Sequence, residues 1–166
     1  MTIYLFLKVI HICAVVIFLG NIITGLFWMA HAKKTKDPAV IAHTMRGIIR
    51  SDRWFTIPGV IIIVVGGFSA AINASIPILR TGWIFWSIVL FTVSGLAFAW
   101  RVAPLQQKIY KMTREVSGGK KENFLWHEFE RQYKAWELWG AIALITPLAA
   151  LVMMILKIPV TTFFFK

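Results

Sequence analysis

Residues 54–73 read WFTIPGVIIIVVGGFSAAIN, with no charged residue among them. At about 1.5 Å per residue such a helix is roughly 30 Å long, the thickness of a bilayer's hydrocarbon core. The stretch is too long for a buried strand and has no polar face for a surface helix. Three further stretches share the property: Ile3–Ala30, Trp83–Trp100 and Trp136–Leu156. Each carries about 18 or more residues with few charges, enough to span as a helix. Backbone polar groups in lipid must be satisfied within the segment, which selects helices. The sequence therefore predicts an all-α polytopic membrane protein: an antiparallel four-helix transmembrane bundle, one domain over residues 1–166, with the lipid bilayer as its main partner.

The bulk numbers agree. Of 166 residues 58% are hydrophobic, and the connections are too short for an extramembrane enzyme domain. The first span reads as a retained helix and not as a cleavable signal, because basic residues follow it and no small-residue cleavage site does. The single cysteine, Cys13, lies inside a span, which excludes a disulfide framework and a cysteine metal cluster.

The net charge is +11, and its distribution carries the meaning. Residues 31–53 hold Lys33, Lys34, Lys36, Arg46, Arg50 and Arg53. Residues 101–135 hold Arg101, Lys108, Lys111, Arg114, Lys120, Lys121, Arg131 and Lys134. Both segments fall on one side of a four-span chain, and the other side has only Arg80, Lys157 and Lys166, with Lys8 just inside the first span. The positive-inside rule puts the basic segments in the cytoplasm and both termini outside. The excess reads as a topology signal with attraction to anionic headgroups. No aromatic-basic interleaving accompanies it, so nucleic acid is not an expected partner.

Along the chain, Asp37-Pro38 predicts a helix start, followed by a short amphipathic helix to about Arg50 with Val40, Met45, Ile48 and Ile49 turned to the membrane interface. Ser51-Asp52 is expected to cap the second span, with Pro58 kinking it. Pro104 marks a kink or restart after the third span, and Ser117-Gly118-Gly119 a break. Leu125, Phe129, Tyr133 and Trp136 form one apolar stripe that runs into the fourth span, which is expected to protrude. The tryptophans near span ends, Trp28, Trp54, Trp83, Trp86, Trp100, Trp136 and Trp139, read mostly as an interfacial belt. Gly66-Gly67 lets helices approach closely; space for a flat cofactor is the other use.

His11 is the strongest candidate for chemistry. It lies eight residues into the first span, and a titratable group at that depth is costly. Its imidazole suits haem iron or another transition metal. The bland reading is a neutral histidine bonded to a neighbouring helix. Lys8 shares its helical face and could meet a carboxylate such as a haem propionate; snorkelling to headgroups is the commoner fate of such a lysine. His31, His43 and His127 are too distant to join His11. Met153 and Met154, near the outer end of the fourth span, are candidate second ligands, though methionine is an ordinary core residue. A second polar layer, Asp52, Arg53, Arg101 and Glu137, sits at the cytoplasmic edge. There a Glu137–Arg101 or Glu137–Arg53 ion pair that locks the bundle is the expected role, with a proton relay as the alternative.

The order Leu7-Lys8-x-x-His11, Phe18-Leu19-Gly20, KKTKDPAVIA (33–42), DRWFTIPGVIIIVVGGF (52–68) and LVMMILKIP (151–159) resembles the four-span bacterial membrane proteins of domain of unknown function 2269, over essentially the whole chain. The start, LKVIHICAVVIFLG (7–20), is also similar to the first span of the small membrane protoporphyrinogen oxidase and of the copper-resistance D membrane domain. In that oxidase a first-span histidine is implicated in haem ligation. The likeness carries to His11 alone, and Phe18 stands where those relatives usually have tryptophan. The resemblance implies a bacterial inner membrane and no particular reaction. Two function classes follow: a module binding haem b or a porphyrin through His11, or a non-catalytic accessory or scaffold subunit with His11 as a packing residue. Either accommodates a membrane-protein partner or a homo-oligomer.

Overall fold

The computed structural model describes residues 2–116 and 124–161. Its elements are α1 (Thr2–Lys34), α2 (Pro38–Ser51), α3 (Ile57–Asn73), α4 (Gly82–Ala97), α5 (Ala103–Val116) and α6 (Trp126–Leu156). There is no strand among the described residues. α2 continues into α3 through a π-helical turn at Asp52–Thr56, and α4 into α5 through another at Phe98–Val102. The helices thus form four rods of 31 to 36 residues, each apolar enough to cross a membrane. The all-α polytopic membrane bundle is as the sequence predicts.

Both π turns lie where a proline forbids the α pattern. Proline has no N–H for the carbonyl four residues back, and its ring crowds that carbonyl. For Pro58 that residue is Trp54, and for Pro104 it is Trp100, each inside a π turn. The chain resolves the conflict by bonding one residue further back, Ile57 N–H to Asp52 O and Ala103 N–H to Phe98 O. The rod absorbs one extra residue and continues instead of breaking. Pro147 in α6 is handled across helices. The Ala143 carbonyl, four residues back, accepts the buried Ser94 hydroxyl of α4 at 2.7 Å.

At 1.5 Å per residue the rods are roughly 46–54 Å long, well beyond a ~30 Å hydrocarbon core. Charges concentrate at one end, carried by Lys33, Lys34, Arg46, Arg50, Lys108 and Arg131 among others, so the overshoot lies there. The packing divides accordingly. A cluster of Met29, Ile41, Met45, Ile109, Phe129, Tyr133 and Trp136 fills the basic end. Ala14, Phe18, Leu19 and Ile63 form a smaller core in the apolar half. Two rod pairs meet in opposed order. Along α1 and α3, Asn21 meets Asp52 and Thr56, Phe18 meets Gly59, and His11 meets Ile63 and Gly66. Between α4 and α6, Ser94 bonds Ala143 and Ser87 bonds Ala150.

Several local expectations change. Asp37 caps α2 as expected, its side chain accepting from Ala39 N–H. α2 does not lie flat on the interface, however: Met45 and Ile48 are buried inside the bundle, and α2 packs on α5. Ser51 and Asp52 do not cap a new helix, since the rod runs through them and Ser51 donates back to Ile48 O. The expected break at 117–119 lies outside the described residues. Phe129, Tyr133 and Trp136 form the buried stripe, whereas Leu125, just before the helix, is exposed. Trp28, Trp54 and Trp100 are exposed, as a lipid-interface belt requires, but Trp136 is only 2% exposed and belongs to the core.

Candidate functional site

His11 is held by α3. Its Nδ1 lies 2.8 Å from the Ile63 carbonyl oxygen, which can only accept, so Nδ1 carries the proton. The ring occupies the gap left by a glycine: a Cβ on Gly67 would sit 3.0 Å from His11 Cε1 and 3.1 Å from Nδ1. A Cβ on Gly66 would lie 3.4 Å from His11 Cβ. The space that Gly66-Gly67 offers is filled by the imidazole itself. What remains for a ligand is the Nε2 lone pair, since main-chain bonding of Nδ1 is the arrangement that orients a metal-bound histidine. No group of three or more His, Cys, Asp or Glu that would hold a metal occurs among the described residues.

Lys8 is exposed one turn earlier, its Nζ 6.0 Å from the Tyr4 ring centre. Met153 and Met154 are half-buried on α6. Cys13 is exposed.

The ion pair expected of Glu137 is not found among the described residues. Among the described residues neither Arg101 nor Arg53 lies within bonding distance of it. Glu137 is exposed and accepts from the Tyr133 hydroxyl at 3.2 Å on its own helix. Arg101 instead lies 5.3 Å over the Trp139 ring, and Arg53 is exposed. The reason is angular: Glu137 follows Trp136, and turning Trp136 into the core turns Glu137 outward. Farther into the basic end, Glu128 receives Arg131 at 2.6 Å and Lys108 at 3.3 Å. The hydrogen bond from Arg131, then that from Gln132, holds this carboxylate down at about 2.

The fourth member of the expected polar layer is the one that is buried. Asp52, 7% exposed, is a hub between three rods. Its Oδ1 accepts from Asn21 Nδ2 of α1 at 2.8 Å and from Thr56 Oγ1 at 2.8 Å. Its Oδ2 accepts from Gln106 Nε2 of α5 at 2.8 Å. Asn21 Nδ2 also donates to Thr56 Oγ1 at 2.9 Å. Asn21 and Gln106 were not singled out from the sequence. The signal available was polarity at an otherwise apolar position of a span, strongest at Asn21 between Gly20 and Ile22.

The π turns place this hub. The first carries Asp52 and Thr56 themselves, and the second precedes Gln106 by one turn. Beside the hub lies a cavity of about 20 Å³, bordered by Asn21, Asp52, Gln106, Phe98 and Trp136. The Trp136 indole Nε1–H is buried and has no hydrogen-bond partner among the described residues. Chemically the residues that line the cavity bring one carboxylate, two amides and an indole, with the Thr56 hydroxyl bonded to the carboxylate behind them.

A family model described as "Predicted integral membrane protein (DUF2269)" matches residues 5–158. No curated protein and no solved structure matches the chain. The chain belongs to that family of integral membrane proteins.

Proposed function

We propose that this family member is a non-catalytic accessory subunit of a bacterial inner membrane, in which His11 joins helices and carries no cofactor. The supporting observation is the use already made of the imidazole. Its Nδ1–H is committed to the Ile63 carbonyl at 2.8 Å, and its ring packs against Gly67 where a flat cofactor would have to approach. A hydrogen bond of this kind between membrane helices contributes about 1 kcal/mol, and the close approach at Gly66-Gly67 adds packing. The basic end, on this reading cytoplasmic, lies against anionic headgroups and presents exposed Arg46, Arg50 and Arg53 to them or to a membrane partner.

The second reading, a haem b module, rests on the Nε2 lone pair that the Ile63 bond leaves outward, with Lys8 one turn away for a propionate. The residues fit such a group in ligand type and not in space. Absorption spectra of protein purified from cells supplied with ample haem decide between the two. The accessory reading expects no Soret band, and a His11→Ala variant that loses detergent-state stability. A Soret band that His11→Ala abolishes, and that His43→Ala and His127→Ala preserve, overturns it in favour of haem.

A further inference from the structure

The Asp52 hub presents two facts that the packing role of His11 leaves unused. The first is a buried carboxylate with neutral donors only. Asn21, Thr56 and Gln106 bond it, and no cation among the described residues lies within ion-pair distance. An ionisable group inside a membrane bundle is costly to keep charged, and such groups mark sites of proton or ion traffic. The second is Trp136, which lines the same cavity and whose buried indole N–H has no hydrogen-bond partner among the described residues. A buried donor left unpaired forfeits its hydration with no return, so a partner is expected there. The cavity's volume of about 20 Å³ exceeds the ~10–15 Å³ that a cavity needs to admit one water.

We propose that this cavity is a proton-binding site, in which one water accepts from the Trp136 N–H and delivers a proton to the Asp52 carboxylate. The balance is simple. A proton carried on the water transfers to Oδ2, and the new O–H donates back to that water, which still accepts from the indole. Protonated Oδ2 keeps a lone pair for Gln106 Nε2, whose bond weakens as the carboxylate charge is lost. Nothing is oxidised or reduced, and the only species gained is H⁺. A metal cation suits the site less well. Trp136, with its unpartnered N–H, lines the space, three donors converge on the carboxylate, and the volume admits one water without a hydration shell.

The surroundings leave Asp52 as the group that titrates there. The cavity's other lining residues, supplied by α1, α2, the second π turn, α5 and α6, carry no titratable side chain. The charged neighbours face away: Arg53 is exposed, Arg101 stacks over Trp139, and Glu137 is exposed and bonded to Tyr133. Tyr133, one turn before Trp136, directs its hydroxyl to Glu137.

Infrared difference spectroscopy of the detergent-purified full chain, acidic minus neutral, tests the proposal. Wild type should gain the carbonyl-stretch band of a protonated carboxylic acid in a dry environment. Asp52→Asn should lose that band, and Glu137→Gln should keep it. Trp136→Phe should shift the band, because the water loses its donor. Identical spectra in wild type and Asp52→Asn overturn the proposal. So does a thermal stability that rises when sodium or potassium chloride replaces choline chloride in wild type and not in Asp52→Asn, which would mark a cation site. Should Asp52→Asn fail to fold, Thr56→Val and Trp136→Phe carry the test. Each keeps the carboxyl and removes one group around it, so a band unmoved in both overturns the assignment.

Discussion

Asp52 and Glu137 show how little residue type alone says about a carboxylate. The sequence puts both at the cytoplasmic edge, Asp52 as a helix cap and Glu137 in an ion pair with Arg101 or Arg53. The structure reverses them: Asp52 bonds three side chains from three rods, and Glu137 faces outward with Tyr133 as its only hydrogen-bond donor among the described residues. Helical phase decides this, and phase was readable only up to which of Trp136 and Glu137 turns inward. Glu137→Ala should therefore change detergent-state melting by no more than about 0.5 kcal/mol, the ordinary range for an exposed substitution. A loss of several times that would mean a buried partner for Glu137. His11 was legible as a residue that must do something, because imidazole in a span is conspicuous. Its partner was not. A main-chain carbonyl such as that of Ile63 has no signature in sequence.

At the scale of elements, span number, span positions and the Asp37 cap were plain from hydropathy and helix-start chemistry. Pro58 is expected to kink its span, and Pro104 to kink or restart the chain. Each is accommodated by a π turn, and Pro147 by a hydroxyl from a neighbouring rod. Sequence signals a proline's missing N–H but does not say who takes the stranded carbonyl, since that partner is set by tertiary packing. The Ser94–Pro147 relation yields a coupling test. Ser94→Ala removes the donor to the Ala143 carbonyl and should cost about 1–2 kcal/mol, as expected for a buried acceptor left unpaired. In a Pro147→Ala background an N–H becomes available to the same carbonyl, so the cost should fall by at least half. A double-mutant cycle measured by unfolding in mild detergent reads the difference directly. Strict additivity would show that Ser94 stabilises the α4–α6 pair for another reason.

For the whole molecule, the division into two cores matters more than the count of spans. In lipid, apolar side chains gain little by leaving the solvent, so the apolar half relies on close helix approach, as at Gly59, Gly66 and Gly67. In the basic half, water supplies a hydrophobic driving force, and there the rods bury Met29, Ile41, Met45, Ile109 and Phe129 completely. The rods' overshoot beyond ~30 Å and the concentration of charge put that half at the water-facing end. Fourteen of the eighteen lysines and arginines fall on the two connections of this end: six in 31–53 and eight in 101–135. The positive-inside rule predicts that such loops are retained in the cytoplasm, because carrying that charge across during insertion is costly. Reporter fusions at Ser117 and at the C terminus should consequently show opposite locations, with Ser117 in the cytoplasm. Neutralising Lys33, Lys34 and Lys36 together should weaken this orientation without abolishing it, because the eight basic residues of 101–135 remain. A cytoplasmic C-terminal reporter in the unmodified chain would invert the assignment and would put the water-packed core, with the Asp52 cavity at its border, on the opposite face of the membrane.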